Sequence, residues 1–420
     1  MSDFSYIEGW LHCEEAPLER IADEIGTPFY CYSHAALVRH WREFDEAFES
    51  VDHLICFAMK ANSNLAILKL FINMGGGVDI VSGGELYRAI LAGADPKRIV
   101  FAGVGKTREE IAGALRTGVL MFNVEGRQEL EVIDSVAADL GLKAPVALRV
   151  NPDVDPATHP YIATGLRESK FGIPFSESLE AFRQAAEMDH LEVVGLHSHI
   201  GSQITQASPF VDALGRVVVL VEKLMAEGIA ISYINLGGGL GITYEDEAPP
   251  DVKELAEALL PAMDGLGVTF IFEPGRVIVG NAGVLVSRVL YTKAHQEKTF
   301  LVVDAAMNDL ARPSLYGAYQ AIWPVAEADA EAPRSPVDVV GPVCESGDFL
   351  AKDRPLPPLA QGDLVAVMSA GAYGFSMSSN YNSRPRVAEV LVGGSDYHVI
   401  RQRESYEDLV RGETIPDFLL

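Results

Sequence analysis

Residues 54–81, LICFAMKANSNLAILKLFINMGGGVDIV, contain the pattern that decides the fold. An apolar run over residues 54–58 is followed by a helix-like stretch over residues 64–73, and a second apolar run covers residues 78–81. Short runs that are apolar on both faces are typical of strands buried in a parallel sheet, where helices form the connections. The stretch therefore predicts one strand–helix–strand unit.

The same alternation continues along the chain, with helix-like segments such as Arg108–Thr117 and Pro209–Ala226 between apolar runs. Units of this kind, eight in number and spread over about 250 residues, predict a (β/α)8 barrel, which is an α/β fold. The predicted strands are Leu54–Ala58, Val78–Val81, Ile99–Ala102, Leu120–Val124, Val146–Val150, Val193–His199, Ile234–Leu236 and Thr269–Phe272.

A different pattern begins after residue 281. Strand-like runs follow one another without long helical segments between most of them, and residues 324–342 have the composition of a Pro-rich loop. We therefore predict two domains: a barrel over residues 31–281, and a mainly β domain over residues 282–420 that is joined by residues 1–30. The strand-like runs are Val284–Tyr291, Thr299–Asp304, Asp363–Met368 and Val387–Val392.

Composition restricts the possible partners. The chain has 420 residues, with 33 Lys and Arg against 59 Asp and Glu, which gives a net charge of −26. Such a chain repels phosphate backbones, so we expect no nucleic-acid partner. It contains no apolar run of the ~20 residues that a membrane span requires, and its start lacks a basic-then-apolar signal pattern, so we expect a cytoplasmic protein without a membrane partner.

The four cysteines are scattered and have no spacing typical of a metal site, so the predicted metal content is none. A reduced protein is expected on the same ground.

Polar residues follow the predicted strands at the end where barrel enzymes carry their chemistry. The Gly237–Gly239 triplet follows the seventh strand, and Gly275 with Arg276 follows the eighth, which is where barrels often bind phosphate. An ordinary flexible loop is the alternative for such a triplet. The rim as a whole contains Lys60, Asp79, Ser82, Gly103, Asn123, Arg149, His197, His199, Gly237–Gly239, Glu273 and Arg276.

Three of these features together indicate a cofactor. Lys60 follows an apolar strand, and a desolvated lysine amine is suited to Schiff-base chemistry, although an isolated lysine more often extends to solvent. Glu273 could keep a pyridine nitrogen protonated. With a phosphate site, these are the anchors of pyridoxal 5'-phosphate. His197 and His199 alternate on one strand face, where metal binding, stacking and hydrogen bonding all remain open.

Nine motifs in order carry a resemblance that covers nearly the whole chain. They make the chain similar to the fold-type III, alanine-racemase-like pyridoxal-phosphate enzymes, and among them it resembles the diaminopimelate decarboxylase family. Met59 is a small departure, since valine is more usual before the lysine. The motifs are Phe57–Asn62, Asp79–Glu85, Thr164–Gly172, His197–Gln203, Gly237–Gly239, Glu273–Arg276, Arg312–Tyr316, Cys344–Asp348 and Gly371–Gly374.

The resemblance implies decarboxylation of meso-2,6-diaminopimelate to L-lysine and carbon dioxide through a Schiff base, the last step of lysine biosynthesis. Lys60 would carry the cofactor as an aldimine, His199 would lie against the ring face, and Glu273 would pair with the ring nitrogen. Cys344 would protonate the carbanion. The remaining cofactor contacts would come from Asp79, Ser202, Gly237, Gly238, Gly239, Gly275, Arg276 and Tyr373.

The resemblance also implies how the substrate is held. Arg276, Arg312 and Tyr316 would bind its distal carboxylate, Glu345 its distal ammonium, and Tyr373 is a further substrate contact. In this family Cys344 and Glu345 come from the second subunit, so a homodimer with shared active sites is expected.

Rival functions remain at this point. An ornithine-, arginine- or lysine-type decarboxylase would share the cofactor site but would need an acidic residue where Arg312 and Tyr316 stand. An alanine racemase would have no use for Cys344. A metal-dependent barrel hydrolase could use His197 and His199, and a non-catalytic regulator need not keep Lys60, Cys344 and Glu273 together.

Overall fold

A computed structural model describes residues 4–155, 170–295 and 298–420 of the chain. The chain divides into two compact units, one formed by Val38–Ile278 and the other by Met1–Leu37 together with Val279–Leu420. Residues 164–169 of the motif Thr164–Gly172 lie outside the described residues.

The described strands run in chain order as follows: β1 (Phe4–Ile7), β2 (Trp10–Cys13), β3 (Ala16–Pro17), β4 (Phe29–Ser33), β5 (His53–Ala58), β6 (Gly77–Ile80), β7 (Ile99–Phe101), β8 (Met121–Val124), β9 (Ala144–Asn151), β10 (Ile173–Pro174), β11 (Leu191–His197), β12 (Tyr233–Asn235), β13 (Thr269–Phe272), β14 (Gly283–Ala294), β15 (Thr299–Val303), β16 (Ile322–Pro324), β17 (Ser335–Val340), β18 (Phe349–Leu356), β19 (Leu364–Val367), β20 (Ala388–Gly393) and β21 (Asp396–Arg401).

The described α-helices are α1 (Leu18–Ile25), α2 (His34–Ala47), α3 (Leu65–Asn73), α4 (Gly83–Leu91), α5 (Arg108–Thr117), α6 (Arg127–Leu140), α7 (Phe175–Glu187), α8 (Ser208–Ala226), α9 (Val252–Met263), α10 (Arg276–Val279), α11 (Arg312–Tyr316) and α12 (Tyr406–Leu409). No helix within the described ranges combines the length and apolar character needed to cross a membrane.

The first unit is a closed parallel barrel, which confirms the predicted fold class. Its strands follow the order β5-β6-β7-β8-β9-β11-β12-β13, and β13 pairs with β5 to close the ring. The two-residue strand β10 adds to the edge of β9. Side chains from alternating strands fill the interior as a packed core. A buried apolar cluster in this unit consists of Cys56, Val100, Met121, Ala147 and Ile271.

A close approach of backbone to backbone explains one glycine of the opening stretch. Gly77 begins β6, and a Cβ atom at this position would lie 2.2 Å from the carbonyl oxygen of Arg98. Glycine is therefore required for β6 to pack beside the segment before β7. At the other end of the connection, the Asn64 side chain accepts a hydrogen bond from the Ala66 amide and caps α3.

The second unit is mainly β, as predicted. Its large sheet has the order β18-β17-β15-β14-β4-β20-β21, with β19 paired to β14 and β16 paired to β19. Strand β4 pairs with β14 and β20, so this early strand belongs to the β unit. The structural division after Leu37 and Ile278 thus differs by a few residues from the boundaries 31 and 281 expected from sequence.

The segment 324–342 is not wholly a loop, because β17 occupies part of it. Pro336 lies in the portion of β17 that faces Pro355 of β18, whereas the pairing of β17 with β15 begins at Asp338. A proline without an amide hydrogen is tolerated where only one side of the strand is paired. The prediction of a Pro-rich loop over residues 324–342 was therefore wrong for the part that forms β17.

Candidate active site

Lys60 and Asp79 form an ion pair at the barrel rim. Lys60 lies in the 3-10 turn directly after β5, and Asp79 lies in β6 beside Ala58. The Lys60 Nζ donates to Asp79 Oδ2 at 2.9 Å; the lysine side chain is 39% exposed, and the aspartate is fully buried. Burial, and next the charge of Glu273, raises the pKa of Asp79 to about 7 despite Lys60. The amine is thus positioned by a carboxylate yet accessible to a ligand.

Glu273 follows β13 and is held by two amides inside the barrel. Its Oε1 accepts from Asn123 Nδ2 at 3.1 Å and from Asn235 Nδ2 at 2.6 Å. Burial alone would raise the pKa of the Glu273 carboxyl, but His197, Lys60 and the Asn235 hydrogen bond hold it below its usual value. Glu273 therefore remains ionised, as a partner for a protonated ring nitrogen must be.

The two histidines lie in different surroundings. Strand β11 ends at His197, so His199 lies beyond it, and the prediction of a strand through residue 199 was wrong. His199 Nδ1 accepts the backbone N–H of Gly238 at 3.2 Å, which leaves its proton on Nε2. Burial, and next the positive Arg149 and Lys60, lowers the pKa of His199 well below its usual value. His199 is thus a neutral ring at this rim.

The Gly237–Gly239 triplet packs too closely for any side chain. A Cβ at Gly238 would lie 2.2 Å from the carbonyl oxygen of Glu273, and Gly239 adopts φ +122°. The Gly239 carbonyl accepts the Ile204 amide at 2.9 Å, which joins this loop to the loop after β11. The triplet is therefore an ordered part of the rim, and the alternative of a flexible loop does not describe it.

Arg276, the first residue of α10, bonds side chains in the loops after β11 and β12. It donates to Tyr244 Oη at 2.5 Å and to Ser202 Oγ at 3.0 Å, and it is almost fully buried. Gly275 beside it would place a Cβ 3.0 Å from the Cβ of Ala61, so the turn after β13 lies against the Lys60 turn. A guanidinium, a hydroxyl and glycine loops together suit a phosphate group.

The rim residues fit pyridoxal phosphate. The Gly237–Gly239 backbone is not covered by side chains of its own, and both asparagine amides bond Glu273 Oε1 rather than Oε2. Within the described residues, the buried Asp79 Oδ1 has no hydrogen-bond partner. Lys60 supplies an amine and Glu273 an anion, which are the two groups that the cofactor's aldehyde and ring nitrogen require.

In the β unit, Arg312 and Tyr316 begin and end the short helix α11. The Arg312 guanidinium carbon lies 5.9 Å from the centre of the Tyr316 ring, and Arg312 is only 7% exposed. Ser314 in the same helix donates to the Gly347 carbonyl at 2.6 Å. This bond fixes the predicted carboxylate-binding residues beside the Cys344–Asp348 loop.

Cys344 and Glu345 are exposed on that loop, and each forms a hydrogen bond with a residue of the segment 381–382. The Cys344 amide donates to Asn382 Oδ1 at 2.8 Å, and the Tyr381 hydroxyl donates to Glu345 Oε2 at 3.4 Å. At the far end of the loop, the Asp348 carboxylate accepts two backbone amides at 2.7 Å each. The loop is therefore anchored while its thiol and carboxylate face outward.

Tyr373 belongs to a tight loop of the same unit after β19. Its φ of +54° is left-handed, and Gly371 before it could hold no Cβ, since that atom would lie 1.8 Å from the Val279 carbonyl oxygen. On the other side, a Cβ at Gly374 would lie 2.5 Å from the Ala370 carbonyl oxygen, so close backbone packing on both sides constrains the conformation of Tyr373.

The predicted residues form two groups, one in each unit. Lys60, Asp79, His199, Ser202, Gly237–Gly239, Glu273, Gly275 and Arg276 lie in the barrel unit, and Arg312, Tyr316, Cys344, Glu345 and Tyr373 lie in the β unit. Sequence reasoning missed two contributors. Asn235 falls inside the strand predicted over residues 234–236, so it does not follow that strand as the other rim residues do. In the structure β12 ends at Asn235, which places this residue at the rim. Tyr244 has no motif around it, and only its contact with Arg276 identifies it.

Comparison with known proteins gives a consistent result. A family described as pyridoxal-dependent decarboxylase, pyridoxal binding domain, matches residues 34–280. The diaminopimelate decarboxylase of Pseudomonas aeruginosa is 54% identical over 415 residues, which are 99% of each chain.

Among solved structures, diaminopimelate decarboxylase from Helicobacter pylori complexed with L-lysine has a TM-score of 0.90 and 45% identity, covering 94% of this chain and 98% of that one. The enzyme from M. jannaschii in co-complex with L-lysine has a TM-score of 0.94 and 38% identity, covering 99% of both chains. The chain belongs to the diaminopimelate decarboxylase family of pyridoxal-dependent decarboxylases.

Proposed function

We propose that this chain decarboxylates meso-2,6-diaminopimelate to L-lysine and carbon dioxide, the last step of lysine biosynthesis, with pyridoxal 5'-phosphate as its cofactor. The observation that carries the proposal is the barrel rim, where the Lys60 amine, the ionised Glu273 and the Arg276–Ser202 pair occur together. The similarity to diaminopimelate decarboxylases along the whole chain supports the same substrate.

Bound pyridoxal phosphate supplies an electron sink for the pair of electrons that departing carbon dioxide leaves behind. Lys60 would hold the cofactor through its amine, and Glu273 would keep the ring nitrogen protonated. His199, whose pKa is lowered well below its usual value, would lie against the ring face as a neutral group. The phosphate would be held by Ser202, Gly237, Gly238, Gly239, Gly275, Arg276 and Tyr373, with Asp79 beside Lys60.

Substrate recognition belongs to the β unit in this proposal. The buried guanidinium of Arg312, with Tyr316 and with Arg276 of the barrel, binds the distal carboxylate, because arginine can form two parallel hydrogen bonds to it. Glu345 binds the distal ammonium. Cys344 gives a proton to the α-carbon after carbon dioxide leaves, and Tyr373 completes the contacts.

We propose a homodimer with shared sites, and the exposure of two of these groups supports it. Cys344 and Glu345 are exposed in their own unit, yet proton delivery to a carbanion requires exclusion of water. The barrel rim of a second copy would provide that enclosure. The proposed role also requires Cys344 to remain a thiol, which fits a reducing cytoplasm, and all four cysteines are free.

The alternative within this fold is a decarboxylase of ornithine, arginine or lysine. Those substrates end in a cation, which the Arg312 guanidinium would repel. Release of carbon dioxide from meso-diaminopimelate should be compared with release from ornithine, lysine and arginine. We expect turnover of meso-diaminopimelate alone to be efficient; preference for any of the other three would reject the proposed substrate.

A further inference from the structure

His197 is a buried histidine that is not among the residues proposed to contact the cofactor or the substrate. It is 1% exposed, and among the described residues neither of its ring nitrogens has a hydrogen-bond partner. A buried polar group without a partner costs about 1–3 kcal/mol. Such a group in a native protein therefore calls for a functional or structural reason.

Its position at the end of β11 places it beside the carboxylate of Glu273. His197 lies in register with Asn235 of β12, whose amide already donates to Glu273 Oε1. The imidazole Nε2 lies 3.6 Å from the other oxygen, Oε2. Oε1 is therefore occupied by the two asparagine amides, and His197 is the neighbour of the oxygen that remains for the cofactor.

We propose that His197 is a positioning residue for Glu273: its Nε2–H, directed at Oε2, fixes the carboxylate plane and keeps the carboxylate charged for the ring nitrogen. The inference rests on the proposed role of Glu273. A separation of 3.6 Å is longer than a hydrogen bond, but contacts of this kind often shorten only when a ligand fills the site. Three donors would then hold one carboxylate, two on Oε1 and one on Oε2.

The surroundings distinguish this role from a shared histidine site. His199 already accepts the Gly238 amide on Nδ1 and lies beyond the strand, whereas His197 lies next to Glu273. The other charged groups near this site are Lys60, Asp79 and Arg149, and each has its own ionic partner: Lys60 with Asp79, and Arg149 with Glu125. Glu273 is thus the charged group whose carboxylate His197 can orient.

The test uses the holoenzyme with pyridoxal phosphate labelled with ¹⁵N in the ring, together with the variants His197→Leu and His197→Gln. Leucine removes the N–H donor and glutamine retains one. We expect the ring-nitrogen chemical shift of His197→Leu to move towards the value of the neutral ring, while His197→Gln stays close to wild type. We also expect kcat to fall about 10- to 100-fold in His197→Leu with KM little changed, the size expected for one hydrogen bond to a charged group.

Thermal unfolding of the cofactor-free variants separates this role from simple packing. Replacing a buried imidazole that lacks partners with an apolar side chain of similar size is close to neutral or stabilising. The Tm of His197→Leu should therefore match or exceed that of wild type. A clear loss of Tm with an unchanged ring-nitrogen shift would make His197 a packing residue and overturn the inference.

Glu273→Gln, measured in the same way, distinguishes the two claims. If Glu273→Gln shifts the ring-nitrogen signal and His197→Leu leaves it in place, the inference about His197 fails and the role of Glu273 stands. If Glu273→Gln also leaves the signal in place, the role of Glu273 is wrong and the inference falls with it.

Discussion

Two glutamates illustrate how differently the two units present their candidate residues. Glu273 in the barrel is 5% exposed and accepts hydrogen bonds from two asparagine amides. Glu345 in the β unit is exposed, and its carboxylate accepts two long hydrogen bonds of 3.4 Å, from the Tyr381 hydroxyl and the Gly347 amide. The barrel thus fixes its charge within a single chain. The β unit leaves its carboxylate exposed.

This difference in burial suits two different roles, chemistry at the cofactor and contact with the substrate. Fixed dipoles in a dry site stabilise charge far more than they would in water, which suits the chemistry at the cofactor. An exposed thiol and carboxylate on an anchored loop suit a group that engages a substrate only after assembly. Changes at the barrel rim should therefore affect the chemical step, and changes in the β unit should affect substrate selection and assembly.

Lys60→Ala should have the largest effect. Turnover should fall by several powers of ten, on the order of 10⁴ or more, because the amine that holds the cofactor and moves protons is lost. Steady-state carbon dioxide release measures the effect, and mass spectrometry after borohydride reduction tests whether cofactor is still attached. Lys69→Ala, on the exposed face of α3, is the matched control and should remain active. Near-normal turnover of Lys60→Ala without added amine would reject the assignment.

Glu273→Gln should retain cofactor and lose about 10²–10³ in kcat, since a neutral amide does not keep the ring nitrogen protonated. Cofactor content measured by absorbance after denaturation, alongside kcat, separates binding from chemistry. An unchanged kcat would contradict the view that the barrel supplies a fixed charge.

Arg312→Ala tests the β unit. The loss of a charged hydrogen bond of about 1.5–3 kcal/mol should lower kcat/KM by about 10- to 150-fold, largely through KM. Discrimination between diaminopimelate and lysine should narrow as well. Arg312→Lys keeps the charge but not the paired geometry, so it should recover only part of the loss. Unchanged selectivity in Arg312→Ala would place the carboxylate site elsewhere.

Asp79→Asn should have the smallest effect, which is a change in how the stability of the folded protein depends on pH. In the folded protein the pKa of Asp79 is raised from 3.8 to about 7, so the stability it contributes is complete below pH 4 and is lost as pH rises through 7. The Tm of the cofactor-free wild type should therefore fall relative to Asp79→Asn between pH 4 and pH 7, by a few degrees. Parallel Tm curves across this range would show that the carboxylate is not strained by burial.

Much of the barrel could be predicted from sequence because parallel strands buried on both faces are short apolar runs with a polar residue at the end. Leu54–Ala58 followed by Lys60 is the clearest case, and the closed ring confirms the fold. The nine motifs carried the family assignment, which the comparison with curated relatives confirms.

What could not be predicted depends on contacts between distant segments. Asn235 and Asn123 meet at Glu273 only because neighbouring strands bring them together, and no local pattern marks an amide as a carboxylate partner. The prolines of β17 made its segment look like a loop in the sequence. Proline is tolerated there because that part of the strand pairs on one side only, and such pairing cannot be predicted from the segment alone. The predicted boundary at residue 31 likewise falls inside β4, because the partners that place this strand in the β unit, β14 and β20, lie far along the chain.

We propose that a complete site needs the barrel of one chain and the β unit of another. Lys60→Ala and Cys344→Ala homodimers should each be nearly inactive. Mixed in equal amounts and allowed to exchange, they should form about half heterodimers, each with one intact site and one doubly defective site, and recover roughly a quarter of wild-type activity. Native mass spectrometry confirms the exchange. If heterodimers form and activity stays at the level of the parents, Cys344 acts within its own subunit and the shared-site account is wrong.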